Sequence, residues 1–156
     1  MKIGSLKLFE KVIVGEQSDH DKKRPLLIRW ILFRVPAFGI YIHKFCRSDY
    51  DRSLHDHPWP FIAVILKGGY IEVHDQTRDG QQEQVWRGPG SVLLRPAEWR
   101  HRVILPKNTP SWSLIIVGRR IKVWGFFLPD GWCWWRKHNY ALGVCEEEIL
   151  WEDGSD

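Results

Sequence analysis

The residues best equipped for chemistry are two histidines one residue apart, His55 and His57 in Leu54-His55-Asp56-His57-Pro58-Trp59, and a third, His101, further along the chain. On an extended backbone, residues two apart point to the same side, so His55 and His57 can offer two imidazoles to one ion; a helix would splay them. Imidazole is a good ligand for zinc, copper, iron and nickel. The third ligand has to come from elsewhere, and His101 is the best placed. In Arg100-His101-Arg102-Val103-Ile104-Leu105 it shares parity with Val103 and Leu105, which turns it inward, while Arg102 takes the outer face and Ile104 breaks the alternation. The remaining histidines, His20, His43, His74 and His138, read as core or surface residues without a ligand role.

Positioning three imidazoles calls for short strands, and from Phe38 onward the chain supplies them. The pattern predicts strands over 39–46, 61–67, 70–74, 82–87, 91–95, 100–105, 111–117 and 122–128, separated by Gly68-Gly69, Asp79-Gly80, Gly88-Pro89-Gly90, Pro96, the stretch 106–110 and Pro129-Asp130-Gly131. Such spacing implies an antiparallel sandwich or barrel. The runs 61–66 and 114–117 are apolar throughout, so both faces are expected to be covered, one lining the barrel interior and the other meeting a second sheet or a second subunit. The stretch 22–35 lacks a clean period and fits a helix or an early strand, and 134–142 fits a short helix after the last strand.

The 156 residues, 44% hydrophobic, read as a single domain, with a barrel at about 38–128 between short terminal extensions and an acidic tail at 146–156. No apolar run approaches the roughly 18–20 residues of a membrane span, and the first ten residues lack a signal-peptide pattern. Three cysteines, Cys46, Cys133 and Cys145, form no Cys-x-x-Cys, so neither a disulfide framework nor a structural zinc site is expected; a reducing cytoplasm fits best. Residues 1–145 carry 23 basic and 13 acidic side chains, a net +10. The basic clusters are short and dispersed, which speaks against nucleic acid and for attraction of anionic small molecules. No phosphate loop, nucleophile elbow or dinucleotide fingerprint is present.

The stretch from about Gly39 to Leu128 resembles a cupin, the small double-stranded β-helix, or jelly-roll barrel, marked by Gly, His-x-His, Glu and Gly and then by Gly and Pro-x-Gly-x-x-His. His55 and His57 match the paired histidines, Gly68 the closing glycine, Gly90 the opening of the second motif, Pro96 its proline and His101 its histidine. The chain departs from the pattern where Phe61 and Ile62 stand in place of the Glu ligand, where Glu98 replaces the glycine of Pro-x-Gly, and in lacking the first glycine. His-Asp-His-Pro-Trp also resembles a group of bacterial and phage cupin-like proteins.

The resemblance implies an all-β fold and a divalent metal held by three neutral histidines. Fe(II) is favoured; Zn, Ni or Mn also fit. Three-histidine iron sites of cupins resemble those of thiol dioxygenases and of a diketone-cleaving dioxygenase, so the leading expectation is a non-haem Fe(II) dioxygenase acting on a small, chelating, anionic substrate. The alternatives are a zinc-dependent hydrolase or lyase, in which the ion lowers the pKa of its water, and a non-catalytic sugar-binding or sensory module. Arg47 and Arg52 are placed to hold a carboxylate. By parity with His57 and His101, Trp59 and Trp99 line the pocket with Phe61. Asp56, Glu72 and Glu98 are candidates for an added carboxylate ligand.

Ten tryptophans are present. Trp86, Trp112 and Trp124 are expected to pack on sheet faces; Trp132, Trp134, Trp135 and Trp151 are expected to cover a barrel end or a subunit contact. Apolar strands, with 26–33 or the C-terminal aromatic segment adding contacts, predict a homodimer.

Overall fold

The computed structural model describes residues 9–13, 25–49, 53–75, 80–106, 109–139 and 144–146. Its strands, numbered in chain order, form two antiparallel six-stranded sheets. The first runs β1 (Phe9–Ile13), β2 (Leu27–Arg34), β3 (Gly39–Phe45), β10 (Ser111–Val117), β5 (Phe61–Lys67), β8 (Val92–Arg95). The second runs β12 (Gly131–Trp134), β11 (Gly125–Leu128), β4 (Leu54–His55), β9 (His101–Ile104), β6 (Tyr70–His74), β7 (Glu83–Arg87). A small pair, β13 (His138–Asn139) and β14 (Val144–Cys145), follows. No helix among the described residues is long and apolar enough to cross a membrane.

The period of two organises the interior. In β10 buried Ser111, Ser113, Ile115 and Val117 alternate with half-buried Trp112, Leu114 and Ile116. Tyr41, Ala63, Ile65, Leu93, Val103 and Ile115 from both sheets meet in one buried cluster. Gly68 turns the chain from β5 to β6 at φ +79°, and a Cβ there would lie 2.3 Å from the Pro110 carbonyl oxygen, so only glycine suits the position.

Several expectations are revised. The stretch left open at 22–35 is strand where it is described, with Leu27, Arg29 and Ile31 facing Phe45, His43 and Tyr41 across the ladder. In the run 61–66 Ala63 and Ile65 are buried inside, whereas on the outer face Ile62 and Val64 are half-buried and Leu66 is 49% exposed within the single chain. No helix occupies the described part of 134–142; β12 ends at Trp134, and a turn leads to β13. The cysteine reading is also overturned, because Cys133 and Cys145 are joined in a disulfide. They stand twelve positions apart in sequence, yet the return of β14 onto β13 brings their Cα atoms to 5.6 Å, inside the range a bridge requires. The ground on which a reducing compartment was inferred is therefore removed; Cys46 is the free cysteine.

Ile65, 1% exposed in the central cluster, provides a check on this packing. Ile65→Ala is predicted to lower unfolding free energy by about 2–5 kcal/mol in urea titration; a loss below about 1 kcal/mol would show that the cluster is not the core.

Candidate metal centre

Sheet register brings the histidines together. Phe126 of β11 lies opposite His55 of β4, His55 opposite His101 of β9, and His101 opposite His74 of β6, so one rung of the second sheet projects four rings to the same face. His57 follows β4 in a turn anchored by its N–H donating to the Ala97 carbonyl at 3.0 Å. The ring nitrogens of His55, His57 and His101 all lie within 4.8 Å of one another. His101 is buried, and the other two are half-buried. Nε2 of His57 and Nε2 of His101 are 2.8 Å apart. Two imidazole nitrogens at about 2.0–2.1 Å from one ion, and at right angles about it, would be separated by about 2.8–3.0 Å.

Glu72 fixes the state of His101. It lies opposite Val103, two residues from His101 along β9, and its fully buried carboxylate reaches diagonally so that Oε1 is 3.0 Å from His101 Nδ1. Burial alone would raise its pKa, but hydrogen bonds from His101 and Arg95 outweigh it and hold the carboxyl well below its ordinary range. An ionised carboxylate only accepts, so Nδ1 carries the proton and Nε2 presents its lone pair to the cluster. Oε1 also accepts from Trp99 Nε1 at 3.0 Å and Arg95 Nε at 3.2 Å, and Oε2 from Arg87 Nε and Arg95 Nη2, both at 2.8 Å. His57 is kept unprotonated by burial and then by the neighbouring His101, His55, His43 and Arg29. The donor set fits a divalent ion.

The structure sorts the other predicted residues. Phe61 sets its ring edge-on to His57, with centroids 4.7 Å apart, and lies 6.2 Å from the His101 ring. Trp59 packs partly against the core. Trp99 donates to Glu72 Oε1, the oxygen that also meets His101 Nδ1, with the Arg95 guanidinium 3.9 Å over its ring and the His74 ring 5.2 Å away. Arg47 is buried after β3, and Arg52 lies outside the described residues. None of the three carboxylate candidates joins the histidine nitrogens. Glu72 holds a ligand, as described. Asp56 turns the opposite way from its flanking histidines, accepts from Gly125 N–H at 2.8 Å and pairs with Lys122. Glu98 is exposed, on a separate cleft that Arg100, Lys122 and Phe127 help to line.

Two interior residues escaped the sequence reading. Arg29 Nε donates to His43 Nε2 at 2.8 Å, and its guanidinium lies 5.1 Å over the Tyr41 ring. Burial, then the charge of Arg29, keeps His43 neutral. Both groups are near enough to His57 to act on its basicity. The signal was an arginine sharing parity with Leu27 and Ile31 in an apolar strand, readable only once 27–34 is known to be extended.

No family model and no curated protein sequence matches the chain. Solved structures do. A cupin-2 domain from Rhodospirillum rubrum superposes with a TM-score of 0.52 at 16% identity, over 78% of this chain and 77% of that one. The chain has the cupin fold. The Fe(II) form of HppE shares this barrel with a TM-score of 0.51 and 16% identity, over 70% of this chain and 56% of that one. Hydroxypropylphosphonic acid epoxidase from S. wedmorenis matches with a TM-score of 0.48 and 15% identity, over 60% of this chain and 50% of that one. The match thus spans about half the length of these last two chains. Against the cupin motifs, the absent glutamate after His57 has no carboxylate substitute among the described residues gathered at the cluster.

Glu72→Gln retains the size of the side chain but can no longer anchor the Nδ1 proton with full charge. It is predicted to weaken cobalt or zinc binding by about 10–100-fold in a competition titration; unchanged affinity would show that Glu72 does not prepare His101.

Proposed function

We propose that His55, His57 and His101 hold a divalent metal, with Fe(II) as the working ion and Zn, Ni or Mn as competitors, and that the protein is a dioxygenase for a small chelating anion. The observation that carries this reading is the convergence of three imidazole nitrogens within 4.8 Å, one of them pre-set by Glu72. Three neutral ligands leave the ion's charge undiminished, which favours an anionic partner. Iron held there supplies the redox chemistry by which both atoms of dioxygen enter the substrate, whose four-electron oxidation balances the reduction and requires no separate reductant.

The chain's own residues have separable tasks in this scheme. Glu72 keeps a proton on Nδ1 of His101, so that the ring coordinates only through Nε2. Phe61 covers His57 and His101 with an apolar ring that displaces water. Arg29 supplies an interior positive charge for a carboxylate, a task for which Arg47 and Arg52 were the earlier candidates.

Fe(II)-loaded protein, screened in an oxygen electrode against 2-oxo acids, thiol carboxylates and diketones, is expected to consume oxygen with one of them and to lose this in His101→Ala. Arg29→Met is expected to raise KM about tenfold or more with iron content unchanged. Stoichiometric zinc in the purified protein, with no oxygen uptake after iron exchange, would overturn the oxygenase reading in favour of hydrolysis.

The protein also forms a homodimer on this reading. The outer face of the first sheet exposes Leu66, Val92 and Leu94, the last two 66% and 70% exposed on edge strand β8. Sedimentation equilibrium is expected to give twice the monomer mass, and Leu94→Lys to shift it toward the monomer; a wild-type monomer at about 50 µM, a concentration at which any dimer with sub-micromolar Kd would be assembled, would refute it.

A further inference from the structure

Beside the histidine cluster is a cleft of about 280 Å³ whose walls include four tryptophans, Trp59, Trp124, Trp134 and Trp135, and two arginines, Arg120 and Arg136. Among the described residues no carboxylate lines it. Trp124 and Trp135 are stacked, with ring centroids 5.6 Å apart and planes 9° from parallel, which ties the segment before β11 to the turn after β12. The Arg136 guanidinium lies 5.3 Å from the ring centroids of both Trp134 and Trp135. Among the described residues neither Arg120 nor Arg136 forms an ion pair. The buried indole N–H of Trp134 has no acceptor there either.

The cleft also communicates with the imidazoles. Trp124 packs edge-on to His55 with centroids 6.1 Å apart, and Trp59 follows His57 by two residues. Disulfide-linked Cys133 immediately precedes Trp134, fastening the far wall.

We propose that this cleft is the recognition subsite for a planar aromatic anion: a flat ring stacks on the indoles while its carboxylate or phosphate is held by Arg120 and Arg136. Each feature selects against an alternative. Indole faces reward a π system over a saturated ring of the same size. Two guanidiniums with no ion-pair partner among the described residues select an anion over a neutral or cationic ring. This inference extends the proposed function, since it assigns an aromatic class to the substrate whose chelating end reaches the metal.

The test uses full-length, metal-free protein and isothermal titration with 2-naphthoate. Binding is expected, with decahydro-2-naphthoate, 2-naphthamide and methyl β-glucoside each at least tenfold weaker. Trp135→Ala and Arg136→Gln are each expected to weaken 2-naphthoate at least tenfold while cobalt titration still gives one equivalent per chain. Trp135→Phe, which keeps an aromatic wall, is expected to retain most of the affinity and guards against a misfolded Trp135→Ala. Equal binding of the saturated acid or the sugar, no binding of 2-naphthoate, or indifference to both Trp135→Ala and Arg136→Gln overturns the proposal. If wild-type protein takes up no cobalt but the naphthoate pattern holds, the cleft stands and the metal reading falls; if cobalt binds and the pattern fails, the cleft alone falls.

Discussion

The rest of the site depends on one buried carboxylate. Glu72 has no solvent exposure, and two oxygens receive donors from Arg87, Arg95, Trp99 and His101. Burying an unpaired carboxylate is unfavourable by several kcal/mol, and it is tolerated only when its lone pairs are filled. Here they are, by a two-pronged contact from Arg95 and three single donors. Arg95 belongs to β8, an edge of the first sheet, and Arg87 to β7, an edge of the second. The same anion that sets the His101 tautomer therefore clasps the two sheets where the chain passes between them. Losing the carboxylate would leave two guanidiniums facing each other with nothing between them, which makes the fold and the metal ligand interdependent.

A second constraint is the anchoring of the His55-Asp56-His57 segment. With only two residues in β4, little ladder holds it. Asp56 compensates by turning away from the histidines to take the Gly125 N–H and Lys122, while its own N–H donates to the Gly125 carbonyl. Gly125 is itself held close to β12, where a Cβ would meet the Cys133 carbonyl oxygen at 2.0 Å. The residue between the two imidazoles is thus a fixing point for them, and its negative charge is consumed by a lysine on the other side of the strand.

Parity made the barrel and its three histidines legible from sequence: alternation located the inward His101, and glycine and proline turns bounded most strands to within a few residues. What escaped is equally physical. Residue type nominated Glu72, but only the ladder register shows that it reaches a ligand's second nitrogen and not the ion. Arg29 was hidden because a strand apolar on both faces has no period to read. The Cys133–Cys145 bridge depends on a short return strand that its sequence does not announce. Trp124 was assigned to sheet packing, whereas its ring joins His55 on one side and Trp135 on the other.

The rung that aligns Phe126, His55, His101 and His74 also has a consequence for how the chain finds its fold. Strand faces invert with a slip of one residue. If β9 paired one position out of step, Arg100 or Arg102 would enter the interior where His101 belongs, bringing an uncompensated cation among imidazoles. The two arginines flanking His101 therefore act as a proofreading device against a one-residue slip, which would set a cation where the triad places an imidazole.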